Sequence, residues 1–211
     1  MIKTGQQHLE GLRDGRVVYI GDERVNDVTT HPAFARAAQT VAGLYDMKHD
    51  PRYQDTLTFE ENGERYSAWF LQAKNRDDLR KRMKAHKLIA DQTCGMMGRS
   101  MDHVSGFVTG MSTNPSVFDT ENYKFADNLM AYYHHMKEND TFATYAVLPP
   151  QAARNPEFYQ KQNLPIPTLM VVGQDDEGVT ISGMKMLATS AVFCDDIWIG
   201  NLLPLAPDQV K

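Results

Sequence analysis

The residues with the most chemical potential sit in one short run, TCGMMGRSMDH, from Thr93 to His103. A charged helical pattern leads into it and an apolar helical pattern leads out. Gly95 and Gly98 flank Met96 and Met97, and Arg99 follows. A glycine inside a helix costs about 1 kcal/mol relative to alanine, so two of them three apart predict a kink, a junction or a close backbone approach. Arg99 at this break, with His103 one turn later, places a permanent cation and a titratable ring on one helix face. On pattern alone the same residues also read as a helix–turn–helix junction with a solvated arginine.

Other reactive side chains form no constellation. His134 and His135 are adjacent, and neighbouring helix positions do not face one another. His86 lies in the charged helical run and reads as packing or surface. Cys94, alone beside a glycine, reads as a small buried hydrophobe. No metal-ligand spacing, nucleophile elbow or phosphate-binding loop is present. Gly5, Gly11 and Gly15 do not follow a strand, so they make no dinucleotide loop.

The elements around the run can be read in order. Thr4 to Gln7 has the form of a capping box, with Leu9 and Leu12 as apolar contacts and Gly15 as the stop. Arg16 to Val25 reads as a hairpin turning at Gly21-Asp22-Glu23. A helix starts at Thr30-His31-Pro32, carries Phe34, Ala38, Val41, Leu44 and Tyr45 on one face, and closes at Asp50-Pro51. Leu57 to Phe59 and Tyr66 to Phe70 flank Asn62-Gly63, a strong hairpin-turn signal. Asp77 to Ala90 reads as a charged helix, with Leu79, Met83, His86, Leu88 and Ile89 as its less exposed positions. Asp102 to Met111 and Phe125 to Met136 follow as helices suited to burial.

From Thr141 the signals change to strands: Phe142 to Leu148, Thr168 to Val172, Val179 to Ile181, Met184 to Val192 and Ile197 to Ile199. Helices followed by strands indicate an α+β fold. The division is 1–140, a helical domain with small hairpins, and 141–211, the first part of a β domain. A β region that stops soon after a strand, with its edge uncovered, reads as the start of a longer polypeptide.

Composition bounds the function. The 211 residues are 42% hydrophobic and 23% charged, an ordinary globular balance. A formal net charge of −5 without a basic block argues against a nucleic-acid partner. The two cysteines, Cys94 and Cys194, lie far apart in sequence and are too few for a disulfide framework, which fits a reducing cytoplasm. Met1 to Leu12 is polar and makes no signal peptide. No apolar run reaches the length of a membrane span.

Several ordered motifs carry a family resemblance across the chain. They are Thr4-Gly5 with Leu9-Glu10 and Leu12, Asp14-Gly15-Arg16, Thr30-His31-Pro32-Ala33-Phe34, Leu44-Tyr45-Asp46 with His49-Asp50-Pro51, and Gly95-Met96-Met97-Gly98-Arg99-Ser100. Together they resemble the N-terminal part of the large oxygenase component of 4-hydroxyphenylacetate 3-hydroxylase. That family includes chlorophenol monooxygenases and hydroxylases of tyrosine-derived natural products. The resemblance implies an acyl-CoA-dehydrogenase-like fold, of which this chain holds the helical domain and about half of the flavin-binding β domain. It implies a two-component, cytoplasmic monooxygenase. A separate flavin reductase supplies reduced FAD, O2 adds to form a flavin C4a-hydroperoxide, and a phenol is hydroxylated ortho to its hydroxyl. It also implies a homo-oligomer, dimer or tetramer, for the full-length protein.

Residue roles follow from the same resemblance. Arg99 matches the arginine that contacts the phenol side of the pocket. His103 stands where the hydroxyphenylacetate enzymes carry a tyrosine, and Tyr145 where they carry a histidine, so donor and acceptor roles change. Arg99, His103 and Tyr145 are the catalytic candidates. Tyr145, Leu148, Gln151, Ala188, Thr189 and Ser190 are the flavin-binding candidates, the last three on a strand. No metal is implied. Two alternatives remain open: a 4-hydroxybutyryl-CoA dehydratase-like FAD enzyme, whose iron–sulfur cluster needs cysteines this run lacks beyond Cys94, and a non-catalytic ligand-binding or assembly module.

Overall fold

The computed structural model describes residues 1–176 and 178–200. They divide into two compact units, 1–144 with 190–196, and 145–189 with 197–200.

The first unit opens with helix α1 (Gly5–Gly11). Its capping box is complete: the Gln7 amide donates to Thr4 Oγ1 at 3.1 Å and the Thr4 amide to Gln7 Oε1 at 2.8 Å. A small hairpin, β1 (Val18–Ile20) and β2 (Glu23–Val25), follows. Helix α2 (Ala35–Asp46) begins later than Pro32 suggests. The Phe34 and Ala35 amides both turn onto the His31 carbonyl, and the His31 amide onto Asp27, so Pro32 sits in a turn that precedes the helix. α2 buries Ala38, Val41, Ala42, Leu44 and Tyr45. α1 meets α2 through Gly5, where an added Cβ would lie 2.5 Å from the Ala42 carbonyl oxygen.

A short helix α3 (Gln54–Leu57) leads into β3 (Thr58–Glu61) and β4 (Glu64–Ser67). Asn62 (φ 54°) and Gly63 (φ 82°) make the two-residue turn that this dipeptide favours. The expected strand to Phe70 stops at Ser67. Ala68 to Phe70 coil into a single 3-10 turn that buries Trp69 and Phe70. Helix α4 (Arg76–Gln92) starts on the Asn75 side chain, which accepts the Asp77 and Asp78 amides. Its buried face is Ala85 and Ile89, whereas Leu79 and Met83, read as less exposed from the sequence, stand in solvent. Helices α5 (Asp102–Met111) and α6 (Phe125–Asn139) complete the unit. The Thr109 hydroxyl donates to the Trp69 carbonyl at 3.0 Å and the Tyr133 hydroxyl to the Phe70 carbonyl at 2.8 Å, so both helices are pinned to the 68–70 turn.

Polar groups gather inside this unit. Lys48 pairs with Asp140, which also accepts from Ser67 Oγ at 2.6 Å. Asp140 ends α6 in a left-handed conformation, φ 49°. The Lys48 ammonium lies 4.0 Å from the Tyr45 ring centroid and 5.0 Å from that of Trp69. His8 stacks on Tyr45 at 4.6 Å with neither ring nitrogen hydrogen-bonded.

Strand β5 (Ala143–Ala146) leaves the first unit for the second. Helix α7 (Pro156–Lys161) and the antiparallel pair β6 (Met170–Asp175) and β7 (Gly178–Ser182) follow, and β8 (Asp196–Ile199) pairs with β5. The expected strand from Met184 to Val192 does not form. Gly183 (φ 126°), Leu187 (φ 59°) and Ser190 (φ 66°) turn the chain out of extended geometry. One isolated antiparallel bridge between Leu148 and Met186 remains, with a 3-10 turn at Ala191–Phe193. No helix among the described residues is long and apolar enough to cross a membrane.

Candidate functional site

The break between α4 and α5 is made by Cys94 and Gly95, not by Gly98. Cys94 (φ 51°) and Gly95 (φ 73°) occupy the left-handed region, and the Gly95 amide donates to the Ala90 carbonyl at 2.8 Å, closing α4. The Met96 amide still donates back to the Thr93 carbonyl at 2.9 Å, and the chain then turns at Gly98 and Arg99 to reach Ser100 and Met101, both buried. Arg99 therefore lies in the turn before α5, exposed, rather than on a helix face. His103 lies in the first turn of α5, half-buried, with its ring edge-on to Phe107 at 5.8 Å.

These two residues are electrostatic neighbours. Burial pulls the His103 pKa below its ordinary 6.5, and the Arg99 charge lowers it further, against a smaller opposing effect of Asp102. Both effects favour the neutral form of the imidazole beside a permanent cation. Such a pair can donate to an oxygen through the guanidinium while the ring accepts a proton.

The flavin candidates divide differently. Tyr145 is half-buried on β5, and a methyl at Gly200 would run into its ring, so the bare glycine backbone is what the ring packs against. The Met186 amide donates to the Leu148 carbonyl at 2.9 Å. Lys185 Nζ donates to the carbonyls of Val147 at 3.2 Å and Gly200 at 2.8 Å. These bonds align Leu148 with Met186, and Gln151, Ala188 and Thr189 lie within three residues of that pairing along the chain. Gln151 and Thr189 are exposed and Ala188 is half-buried. Ala188, Thr189 and Ser190 do not lie on a strand as expected: Ala188 is irregular, and Thr189 and Ser190 form a turn. Ser190 belongs to the first unit, its carbonyl accepting the Phe193 amide at 2.8 Å. Neutral amide, hydroxyl and backbone groups of this kind fit the edge of an isoalloxazine ring, which both donates and accepts.

The sequence does not announce the pairing of Asp102, within the run, with His86 on α4. His86 pairs with Asp102, whose second carboxylate oxygen accepts from Ser100 Oγ. The acidic first position of α5 was the available signal, but nothing local marks His86 as its partner. His134 and His135 are exposed, and among the described residues no three His, Cys, Asp or Glu side chains gather as a metal-binding group.

Helices followed by strands make this an α+β fold, and its solved structural neighbours place it in the acyl-CoA-dehydrogenase-like class. An archaeal 4-hydroxybutyryl-CoA dehydratase from N. maritimus shares that fold, with a TM-score of 0.78 at 18% identity over 98% of this chain and 41% of the other. Within the class, the family model described as 4-hydroxyphenylacetate 3-hydroxylase N terminal matches residues 4–210, and the chain belongs to that family. The 4-hydroxyphenylacetate 3-monooxygenase oxygenase component of Thermus thermophilus is 39% identical over 193 residues, 90% of this chain and 38% of the relative. The FADH(2)-dependent monooxygenase TftD of Burkholderia cepacia is 32% identical over 208 residues, 95% of this chain and 40% of the relative. A crystal structure of an HpaB oxygenase component complexed with FAD superposes with a TM-score of 0.86 at 36% identity, over 98% of this chain and 43% of that one. The chain thus spans about two-fifths of the length of these relatives.

Proposed function

We propose that this chain forms the N-terminal part of the oxygenase component of a two-component monooxygenase, which uses reduced FAD and O2 to hydroxylate a phenol ortho to its hydroxyl. The observation that carries the reading is the family match over residues 4–210, with Arg99 exposed in the turn before α5 and His103 in the first turn of that helix. Arg99 takes the phenol oxygen, and its charge draws the phenol toward phenolate, raising electron density at the ortho carbon. His103, kept neutral, is free to accept the phenol O–H proton.

Tyr145, Leu148, Gln151, Ala188, Thr189 and Ser190 are the residues assigned to the flavin, through backbone groups and neutral side chains. When bound, the reduced flavin supplies the oxygen activation that no side chain provides. Water must be kept from that chemistry, and the apolar face of Leu148 and the Tyr145 ring serve this end. The exchange of tyrosine and histidine at positions 103 and 145 bears on which phenol is accepted, not on the class of reaction. A separate reductase, a reducing cytoplasm and a homo-oligomeric full-length protein complete the proposal.

The test is to supply the full-length protein with reduced FAD, O2 and a panel of phenols, following oxygen uptake and catechol formation. Catechol from at least one phenol, in proportion to oxygen consumed, is the expected result. Oxygen consumption with peroxide as the sole product for every phenol overturns the reading.

A further inference from the structure

The turn that carries Arg99 has an anchoring device that the reaction alone does not require. Among the described residues no hydrogen bond or ion pair holds the Arg99 guanidinium, so its place depends on the backbone beneath it. That backbone is tied in different ways on its two sides. Toward α4 the ties are main-chain bonds alone, the Gly95 amide to Ala90 at 2.8 Å and the Met96 amide to Thr93 at 2.9 Å, in a stretch where the Met96 side chain is 85% exposed. Toward α5, Ser100 is buried and its hydroxyl donates to Asp102. The other oxygen of Asp102 meets His86 Nδ1, reaching back across the link to α4.

One carboxylate therefore joins three places: the residue next to Arg99, the start of α5 and the flank of α4. Arg82, one turn before His86, approaches the same face of α5. An added Cβ at Gly106 would stand 3.2 Å from its Nη2, so the absent side chain gives the guanidinium room. Burial of Asp102 would raise its pKa, but the hydrogen bonds from His86 and Ser100 outweigh this and hold the carboxyl below its ordinary 3.8. Charge-assisted hydrogen bonds of this kind fix geometry more firmly than neutral ones.

We propose that His86 and Asp102 are positioning residues for the phenol: their ion pair, through Ser100, sets the turn that presents Arg99. The proposal rests on the reading of Arg99 as the phenol-binding cation. It distinguishes a clamp with a job in substrate binding from a staple that merely joins two helices. A staple would affect thermal stability and every ligand alike. A clamp would affect the phenol selectively, because a displacement of about 1 Å at a binding group is enough to cost orders of magnitude in rate.

The experiment uses the full-length oxygenase with its reductase, comparing phenol KM, kcat and reduced-FAD affinity in Asp102→Ala, Asp102→Asn, His86→Gln and Arg99→Ala. Asp102→Ala is expected to raise the phenol KM about tenfold, with flavin affinity within about twofold of the parent. Asp102→Asn keeps one acceptor oxygen for Ser100 but turns an NH2 donor toward His86 Nδ1, and should recover only part of that loss. His86→Gln, at a partly exposed helix position, keeps a donor but not the ring that reaches Asp102, and should raise KM about threefold. If Asp102→Ala does not fold, His86→Gln and Asp102→Asn decide alone. A phenol KM unchanged in the His86 and Asp102 variants, with a large rise in Arg99→Ala, overturns the clamp and leaves the phenol site standing. Equal loss of phenol and flavin binding reduces the pair to a staple. No change in Arg99→Ala removes both the clamp and the site on which it rests.

Discussion

The two units place polarity in opposite ways. In the first, charge is inside: Lys48 is 0% exposed, paired with Asp140 and capped by the Tyr45 and Trp69 rings. In the second, apolar side chains are outside: on β6 and β7, Met170, Val171, Val172, Val179 and Ile181 all face solvent, with Val172 62% exposed. The first unit has enough helix to bury a core and to satisfy the ions within it. The second carries the strands but, among its described residues, little to lay over them. Stability is thus concentrated in the first unit, where a single unpaired group is costly, and is insensitive to side chains of the second unit's hairpin.

The sharpest way to break this contrast is to unpair the buried ions. Asp140→Ala leaves the Lys48 ammonium enclosed without its partner, and should cost on the order of 3–5 kcal/mol by denaturant unfolding. Replacing both residues by apolar ones of similar volume should recover most of that loss. A loss below about 1 kcal/mol for Asp140→Ala would mean that the pair is solvated.

A second test uses acid. Burial pulls His8 down to about 4 from 6.5, despite the nearby Asp195 carboxylate that opposes the shift. The folded state therefore binds the proton less readily than the unfolded chain. Stability is intact above pH 6.5 and is lost as the pH falls toward 4, by about 3 kcal/mol. His8→Phe should flatten the stability profile in that window. An unchanged profile would place the acid sensitivity elsewhere.

The smallest expected effect is on the other side of the contrast. Val172→Thr on β6 should change unfolding free energy by less than about 0.5 kcal/mol. A cost comparable to that of a buried valine would show that the strand face is covered in solution.

Much of this contrast was hidden in the sequence for a definite reason. Local signals were legible: the Thr4 capping box, the Asn62-Gly63 turn and the span of α5 all follow from residues within a few positions of one another. Lys48 had no local signal, because its partner lies 92 residues away and the pair exists only once α6 ends against β4. Leu79 and Met83 misled because large apolar residues were weighted over the small Ala85, which packs more closely. The strand expected at Ala188 to Ser190 failed where non-glycine residues adopt positive φ, which the composition of that stretch does not announce. At the site, the one-turn spacing of Arg99 and His103 suggested a shared helix face, but α5 begins at Asp102 and leaves Arg99 in the turn before it. The His86–Asp102 pair was not legible, since it closes only when α4 and α5 fold back across the link.

The central claim is that Arg99 serves the phenol and not the flavin. Its direct test is equilibrium binding of a phenol and of reduced FAD to Arg99→Ala in the full-length oxygenase. The phenol should bind on the order of ten- to a hundredfold more weakly, as expected for the loss of a charged hydrogen bond, while reduced FAD binds as before. Unaltered phenol affinity, or equal weakening of both ligands, would contradict the account.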